Sequence, residues 1–178
     1  GTVSITAADV DNASTDNCTL VSITASPTDF TCNEVGNNIV TLTLTDDSGN
    51  VSSCVSNVNV EDSINPTAVC QNLVVELDAS GNANITTTDI DAGSTDNCGA
   101  VTLSATPTTF TCANIGSNTV TLTATDSNAN VTTCTSTVTV EDNTAPIATC
   151  QNITIDLDAT GNVSITGTDI ANASTDNC

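Results

Sequence analysis

The sequence predicts an all-β fold in which tandem, antiparallel β-sandwich domains are stapled by disulfides. Three observations lead to this prediction: an internal repeat of 80 residues, hydrophobic alternation with a period of two, and nine cysteines in a chain of 178 residues. No segment shows the spacing of an amphipathic helix, so the predicted architecture contains strands and turns only.

The repeat is clearest in the cysteines, which recur without any insertion or deletion. Cys18, Cys98 and Cys178 are 80 residues apart. The same shift relates three further pairs: Cys32 and Cys112, Cys54 and Cys134, Cys70 and Cys150. The residues around the cysteines repeat as well, since Ser-Thr-Asp-Asn precedes Cys18, Cys98 and Cys178. Such regular repetition is typical of supersecondary units arranged in an array.

Domain boundaries are predicted at two Pro-containing turns, residues 61–66 and 141–146. Proline interrupts strand pairing and fixes the direction of the chain at a turn. We therefore expect one complete domain, residues 63–142. It follows the C-terminal part of a preceding repeat, residues 1–62, and precedes the N-terminal part of the next, residues 143–178.

Within each repeat, apolar and polar residues alternate as they do in half-buried strands. Leu73, Val75 and Leu77 point to one face, while Val74 and Glu76 point to the other. The same pattern gives three more inward rows: Ile153, Ile155 and Leu157; Val120, Leu122 and Ala124; Cys134, Ser136, Val138 and Val140. About seven short strands of this kind, separated by turns, favour an antiparallel sandwich.

The charge of the chain excludes several functions. It has 21 acidic residues and no Lys, Arg or His, which gives a net charge of −21. Binding to nucleic acid or to an anionic membrane surface requires basic residues, so both partners are excluded. No apolar run is long enough for membrane insertion. We also predict no enzyme, because a general base such as His or Lys and a cationic oxyanion donor are missing.

The cysteines predict an extracellular, oxidising location. The core is thin, because Phe30 and Phe110 are its only aromatic residues, and disulfides compensate for small cores in secreted domains. Four cysteines per repeat allow three pairings. We favour three bonds, Cys18–Cys32, Cys98–Cys112 and Cys70–Cys134, of which the last joins the first strand to the last.

Cys54, Cys150 and Cys178 then need partners outside this segment. An alternative places them in a multi-chain filament, where Cys150 of one chain bonds Cys54 of the next by strand addition. The overlap between residues 161–178 and residues 1–18 argues against that alternative.

Several motifs resemble the hyalin repeat, an immunoglobulin-like module. They are Pro66 and Cys70, residues 95–97, 116–126, 130–134 and 138–142. The extra Cys98 and Cys112 and the Thr- and Asn-rich composition are similar to giant cell-surface repeat proteins of gliding and filamentous Bacteroidota-type bacteria. The resemblance implies type IX secretion to the bacterial cell surface. It also implies a role as stalk or shaft of an adhesin or filament, as in the grappling hooks of predatory relatives. The partners would be neighbouring repeats and identical chains in a filament.

Acidic clusters are the only candidate ligand sites. Asp89, Asp91 and Asp96 alternate around a glycine, as ligands do in oxygen-rich Ca²⁺ loops. A second set of carboxylates, in linkers that resemble the calcium-binding junctions of cadherin-like arrays, comprises Glu61, Asp62, Glu141 and Asp142. The competing interpretation is that these side chains cap turns through nearby backbone groups.

Two other surface features have functional interpretations. Ser63 lies in an Asp-Ser-apolar sequence that fits the O-glycosylation pattern of such bacteria. Outward threonines at residues 119–125 could bind ice, and the repeat as a whole could bind a glycan. The simpler explanation of the threonines is the preference of β-branched residues for strands.

Overall fold

A computed structural model describes residues 1–178 and confirms the all-β, disulfide-stapled fold. Eleven strands make up most of the regular structure: β1 (Thr2–Ser4), β2 (Leu20–Ser26), β3 (Asp29–Thr31), β4 (Gly36–Asp46), β5 (Val51–Val60), β6 (Leu73–Glu76), β7 (Asn82–Asn84), β8 (Thr102–Thr106), β9 (Thr109–Thr111), β10 (Gly116–Thr125) and β11 (Val131–Glu141). Three α-helices of one turn each and two 3₁₀ turns, Cys32–Glu34 and Cys112–Asn114, complete it. The helices are α1 (Ala7–Val10), α2 (Thr87–Ile90) and α3 (Gly167–Ile170). No helix has the length and apolarity needed to cross a bilayer.

The strands form two larger sheets and two small ones. One larger sheet has the order β6-β11-β10-β8 and the other the order β2-β4-β5, while β1 pairs with β3 and β7 with β9. The pairing of β6 with β11 is parallel, with Leu73 opposite Val138. This departs from a wholly antiparallel sandwich. Parallel pairing needs a long connection, and most of the repeat lies between these two strands.

The chain forms two compact units, each with its own core. Unit 1 contains Gly1–Thr67 together with Ser94–Thr102 and Ala124–Thr132. Unit 2 contains Ala68–Gly93, Leu103–Thr123 and Thr133–Cys178. Two loops of the central sequence repeat therefore belong to the same compact unit as residues 1–62.

The core of unit 2 follows the predicted alternation. Leu77 is buried at the end of β6, whereas Val74 is exposed. Val120 and Leu122 in β10 and Val138 in β11 are completely buried. Inward rows from neighbouring strands thus meet around Phe110, the largest member of this core.

One polar residue of the inward rows is buried together with the apolar ones. Ser136 is 1% exposed, and its hydroxyl donates a hydrogen bond to the backbone oxygen of Gln71 at 2.6 Å. The bond satisfies the hydroxyl, which makes its burial tolerable.

Unit 1 has a smaller core of Phe30, Val40 and Val60. On β5, Val51 and Val55 are 65% and 70% exposed. This strand is an edge of its sheet, since β4 is its only neighbour. No strand corresponding to β6 covers it within the residues of unit 1.

The strand predicted around Ile153, Ile155 and Leu157 is wrong for this structure. These residues lie in irregular backbone and are exposed. Their counterpart β6 pairs with β11, and the 178 residues contain no later copy of β11. In residues 143–178 only α3 and two isolated bridges form, between Ile147 and Thr175 and between Cys150 and Ala171.

Each short helix begins with a capping box, which explains why the predicted architecture of strands and turns only was wrong. The backbone N–H and the hydroxyl of Thr86 both donate to a carboxylate oxygen of Asp89 at 2.7 Å. The same pair recurs as Thr6 with Asp9 and as Thr166 with Asp169. A single turn is too short to show a period, and its signal is Thr-x-x-Asp.

Candidate functional site

Three disulfides form, and only one has the pairing that the sequence favoured. Cys70 bonds Cys134, with their Cα atoms 5.9 Å apart. The others are Cys32–Cys98 and Cys112–Cys178, each with a sequence separation of 66.

The predicted bonds Cys18–Cys32 and Cys98–Cys112 are therefore wrong, and so is the expectation that Cys178 pairs outside the segment. The prediction favoured short loops, but a short sequence separation does not bring two sulfurs together in the folded chain. Cys32 begins a 3₁₀ turn after β3, and that turn lies beside the loop that carries Cys98. The two Cα atoms are 5.1 Å apart, within the range that a disulfide can bridge.

Cys18, Cys54 and Cys150 are exposed free thiols. Cys54 is the copy of Cys134, and Cys150 is the copy of Cys70, so each lacks its counterpart's partner within this sequence. Their pairing outside the segment, or with each other across two chains, stays a prediction.

The most concentrated chemical feature is a group of three aspartates in unit 1. Asp62, Asp96 and Asp126 each offer a carboxylate oxygen, and these oxygens lie within 4.8 Å of one another. We call this group the aspartate triad. Asp62 follows β5, Asp96 lies in the loop before β8, and Asp126 lies in the turn between β10 and β11.

Local turns position the first two side chains of the triad. Asp62 accepts a hydrogen bond through Oδ1 from the backbone N–H of Ile64 at 3.2 Å. Asp96 accepts one through Oδ2 from the backbone N–H of Cys98 at 2.8 Å. The second oxygen of each, Oδ2 of Asp62 and Oδ1 of Asp96, exposes less than 1 Å² and has no hydrogen-bond partner.

Asp126 is the most buried member, at 7% exposed. Its Oδ1 accepts from the backbone N–H groups of Asn128 and Asn130, both at 2.8 Å. Its Oδ2 accepts from the side-chain amide of Asn130 at 2.8 Å. Burial acts to raise the pKa of Asp126, but the hydrogen bonds from Asn130 and Asn128 outweigh it and lower that pKa below its usual value. Asp126 is therefore ionised at neutral pH.

The side-chain amide of Asn130 links two members of the triad. It also donates to the backbone oxygen of Asp62 at 2.9 Å. Since Asp62 closes one sequence repeat and Asn130 belongs to the next, this amide joins the two repeats within unit 1. The bond Cys32–Cys98 joins them as well, only two residues from Asp96.

Sequence reasoning placed Asp62 and Asp96 in separate candidate sites and missed Asp126. The other candidates have local roles. Asp89 caps α2, and Asp91 follows that helix as its C-cap residue. Glu61 and Glu141 are exposed. Asp142 accepts from the side chain of Asn177 at 3.1 Å.

The signal for Asp126 was present in the repeat. Asp46 is its copy, and Asn50 binds Asp46 with its backbone N–H and its side-chain amide, both at 2.7 Å. The motif Asp-x-x-x-Asn thus marks this turn in both repeats. What the sequence lacked was any indication that the turn lies beside Asp62 and Asp96.

Partial copies of the triad occur elsewhere in the chain. Asp16 and Asp46, the copies of Asp96 and Asp126, line one cleft in unit 1 that no third carboxylate enters. In unit 2, Asp142 is the copy of Asp62, and the amide of Asn177 binds it. Only the central set therefore brings three carboxylates together.

Two predicted surface features, the glycosylation site at Ser63 and the threonine row of β10, differ in their exposure. Ser63 is exposed and directly follows Asp62 of the triad, and its O-glycosylation stays a prediction. In the threonine row, Thr119 is exposed, but Thr121 and Thr123 are half-buried. Half-burial reduces the threonine surface that is open to a ligand, and ice binding by this row stays a prediction.

The chemistry available at the triad is limited to accepting hydrogen bonds, sharing a proton or coordinating a cation, since carboxylates are its only functional groups. Asn97 and Asn130 flank it, and no cationic side chain exists in the chain. Comparison with known proteins assigns no role to this arrangement: neither a protein-family model nor a curated protein matches the chain.

Proposed function

We propose that the chain is a structural repeat in the stalk or shaft of a large secreted surface adhesin or extracellular filament that mediates attachment. The observation that carries the proposal is the pair of disulfides with a separation of 66 residues. Cys32 and Cys98 lie in successive 80-residue repeats, and so do Cys112 and Cys178. Each bond therefore joins one repeat covalently to the next.

Such bonds suit an array whose function is to extend. Repeat proteins gain length by adding units that contact their neighbours only, so each addition needs no new fold. Disulfides are typical of proteins in oxidising compartments. They support a location outside the cell and, together with the resemblance to hyalin repeats, on a bacterial surface. Export by the type IX route belongs to the same proposal.

Exposed cysteines support contacts beyond one chain. Cys54 and Cys150 occupy the positions whose copies, Cys134 and Cys70, are bonded. They would bond a further repeat of the same chain or an identical chain in a filament. Attachment of sugar at Ser63, which is exposed next to the repeat boundary, would add to the stalk's surface.

The test is to lengthen the array and measure it. Chains with two, four and eight copies of residues 63–142 are purified with disulfides intact, and small-angle X-ray scattering gives the maximum dimension. We expect that dimension to rise in proportion to copy number, as in repeat arrays. A maximum dimension that rises only with the cube root of the mass, as in a compact particle, would contradict a stalk. The matched control replaces only the cysteines equivalent to Cys32 and Cys98 with serine.

Two further measurements address location and the competing role. Antibodies raised against residues 63–142 should label extracellular filaments or the cell surface in electron micrographs, whereas purely cytoplasmic labelling would overturn the proposal. Specific, saturable binding of a single repeat to one glycan, or thermal hysteresis in ice, would favour the ligand-binding module instead.

A further inference from the structure

We infer that the aspartate triad of Asp62, Asp96 and Asp126 binds one divalent cation of the calcium type. The inference stands apart from the proposed stalk function, because it concerns a site on the chain whatever the chain's role. Three observations carry it: the distances between the carboxylate oxygens, the two oxygens without partners and the absence of any basic side chain.

The distances fit a single ion. Ca²⁺ binds oxygen ligands at about 2.3–2.6 Å, so two of its ligands lie at most about 4.6–5.2 Å apart. One oxygen from each aspartate lies within 4.8 Å of the others. Three carboxylate oxygens at this separation are close enough to bind the same ion, and water would complete the six to eight ligands that Ca²⁺ takes.

The unpartnered oxygens point to a ligand. Buried carboxylate oxygens are nearly always hydrogen-bonded, and an exception needs an explanation. Oδ2 of Asp62 and Oδ1 of Asp96 are shielded from solvent and receive no hydrogen bond, although the other oxygen of each is held by a backbone N–H. Turn capping therefore accounts for one oxygen of each carboxylate, and the other oxygen is available to bind a cation.

Charge balance supports the same ligand. Like charges at this separation repel, and burial of Asp126 weakens the screening by water. Elsewhere in proteins a Lys or Arg offsets such a group, but this chain has neither, and it has no His. Since nitrogen and sulfur ligands are absent from the triad, a hard cation that prefers oxygen fits better than zinc or copper.

The position of the site suggests what the ion does. Asp62 ends one sequence repeat, while Asp96 and Asp126 come from two loops of the next. The ion would hold all three loops together, alongside the bond Cys32–Cys98 and the amide of Asn130. We therefore expect binding to stabilise unit 1, where all of these residues lie.

The experiment is calorimetric titration of the 178-residue chain, disulfides intact and stripped with EDTA, with CaCl₂ and separately with MgCl₂. We expect one Ca²⁺ per chain, with a dissociation constant on the order of 0.1–1 mM, the range of extracellular calcium modules. The melting temperature of the chain should rise in millimolar Ca²⁺, because an ion that binds only the folded state stabilises it.

Matched variants locate the site. Asp96→Asn and Asp62→Asn should each weaken Ca²⁺ binding by about tenfold or more, since affinity depends on the number of charged ligands. Asp126→Asn should do the same if circular dichroism shows that it folds. Asp46→Asn and Asp16→Asn change the copies that lack a third carboxylate, and they should leave the titration unchanged.

Several results would overturn the inference. They are absence of Ca²⁺ binding at about 10 mM, far above the expected constant, equal losses in Asp46→Asn and Asp96→Asn, and a melting shift that survives Asp62→Asn combined with Asp96→Asn. None of these outcomes bears on the length of longer arrays, so failure here is distinguishable from failure of the stalk proposal.

Discussion

Strand β11 of the central repeat and its copy β5 have nearly the same length and pattern, yet they differ in what covers them. Val138 in β11 is fully buried, whereas Val58 at the same position of β5 is only half-buried. Cys134 in β11 is bonded to Cys70, whereas Cys54 in β5 is a free thiol. The cause is β6, which lies beside β11 and has no equivalent beside β5.

The difference shows which strands must be present together for a core to close around β11. Residues 63–142 contain both β6 and β11, so one strand covers the other and the inward rows close over a core. An 80-residue unit that began 40 residues earlier in the chain would contain β6 but not β11. The domain boundaries at the Pro-containing turns stay a prediction, because two loops of residues 63–142 belong to the compact unit that contains residues 1–62.

Removing the bond Cys70–Cys134 should have the largest effect. With a sequence separation of 64 between the cysteines, the chain-entropy model predicts that Cys70→Ser combined with Cys134→Ser lowers the free energy of unfolding by about 4 kcal/mol. Urea denaturation would measure this loss. The copy Cys54→Ser should change stability little, and a similar loss there would mean that β5 has a covalent partner after all.

Adding a methyl group at Gly81 should cause the second-largest loss of stability. Gly81 has φ of +73°, and a Cβ there would lie 2.6 Å from Sγ of Cys112 and 2.7 Å from the backbone oxygen of Asn177. Left-handed backbone and overpacking together should cost about 3 kcal/mol in Gly81→Ala.

The copy Gly161 separates these two contributions. It has φ of +77° with nothing within 4 Å of the added Cβ. Gly161→Ala should therefore lose only the backbone part, about 1 kcal/mol. Equal melting temperatures for the two variants would show that contact with the disulfide Cys112–Cys178 does not matter.

Shortening one inward-facing valine in β11 and its copy in β5 should show how much burial under β6 contributes to stability. Val138→Ala removes fully buried methyl groups and should lower the free energy of unfolding by about 2 kcal/mol. Val58→Ala removes the same atoms from a half-buried position, so we expect less than half that loss in a denaturant titration. If both variants lose the same amount, β6 does not determine the difference between the strands.

Acid should produce the smallest effect, through the capping boxes. Hydrogen bonds from the side chain and backbone of Thr86 hold the pKa of Asp89 below its usual value. A depressed pKa in the folded state gives stability that is present above the ordinary pKa of Asp and is lost as the pH falls through the lowered value.

A pH series of melting curves below about pH 4, the ordinary Asp range, would test this. Asp89→Asn should flatten the loss of stability with acid, because α2 carries the buried Ile90 and is coupled to the core. Asp169→Asn changes the copy in α3, whose Ile170 is 37% exposed. It should reduce only the local helical signal, and an equal effect on global melting would contradict the difference between the two segments.

The local pattern was predictable from the sequence because it depends on near neighbours. The alternation of Val120, Leu122 and Ala124 follows from the geometry of any strand, and the structure buries all three. The bond Cys70–Cys134 could be anticipated from an expected contact between the first and last strands. The parallel direction of β6 relative to β11 was not anticipated, since alternation does not encode direction.

The triad and the bonds across repeats could not be predicted in the same way. Asp62, Asp96 and Asp126 come from three loops, and nothing in local sequence states that these loops meet. Likewise, loop length alone favoured Cys98–Cys112, while the folded chain brings Cys32 to Cys98. A repeat period aligns equivalent residues but does not show which of them touch.

The three disulfide loops also overlap along the chain, since they span residues 32–98, 70–134 and 112–178. Every peptide bond between Cys32 and Cys178 therefore lies inside at least one closed loop. A protease that cuts once anywhere in this stretch leaves two pieces that stay covalently attached. Damage of this kind would appear on a gel only after reduction.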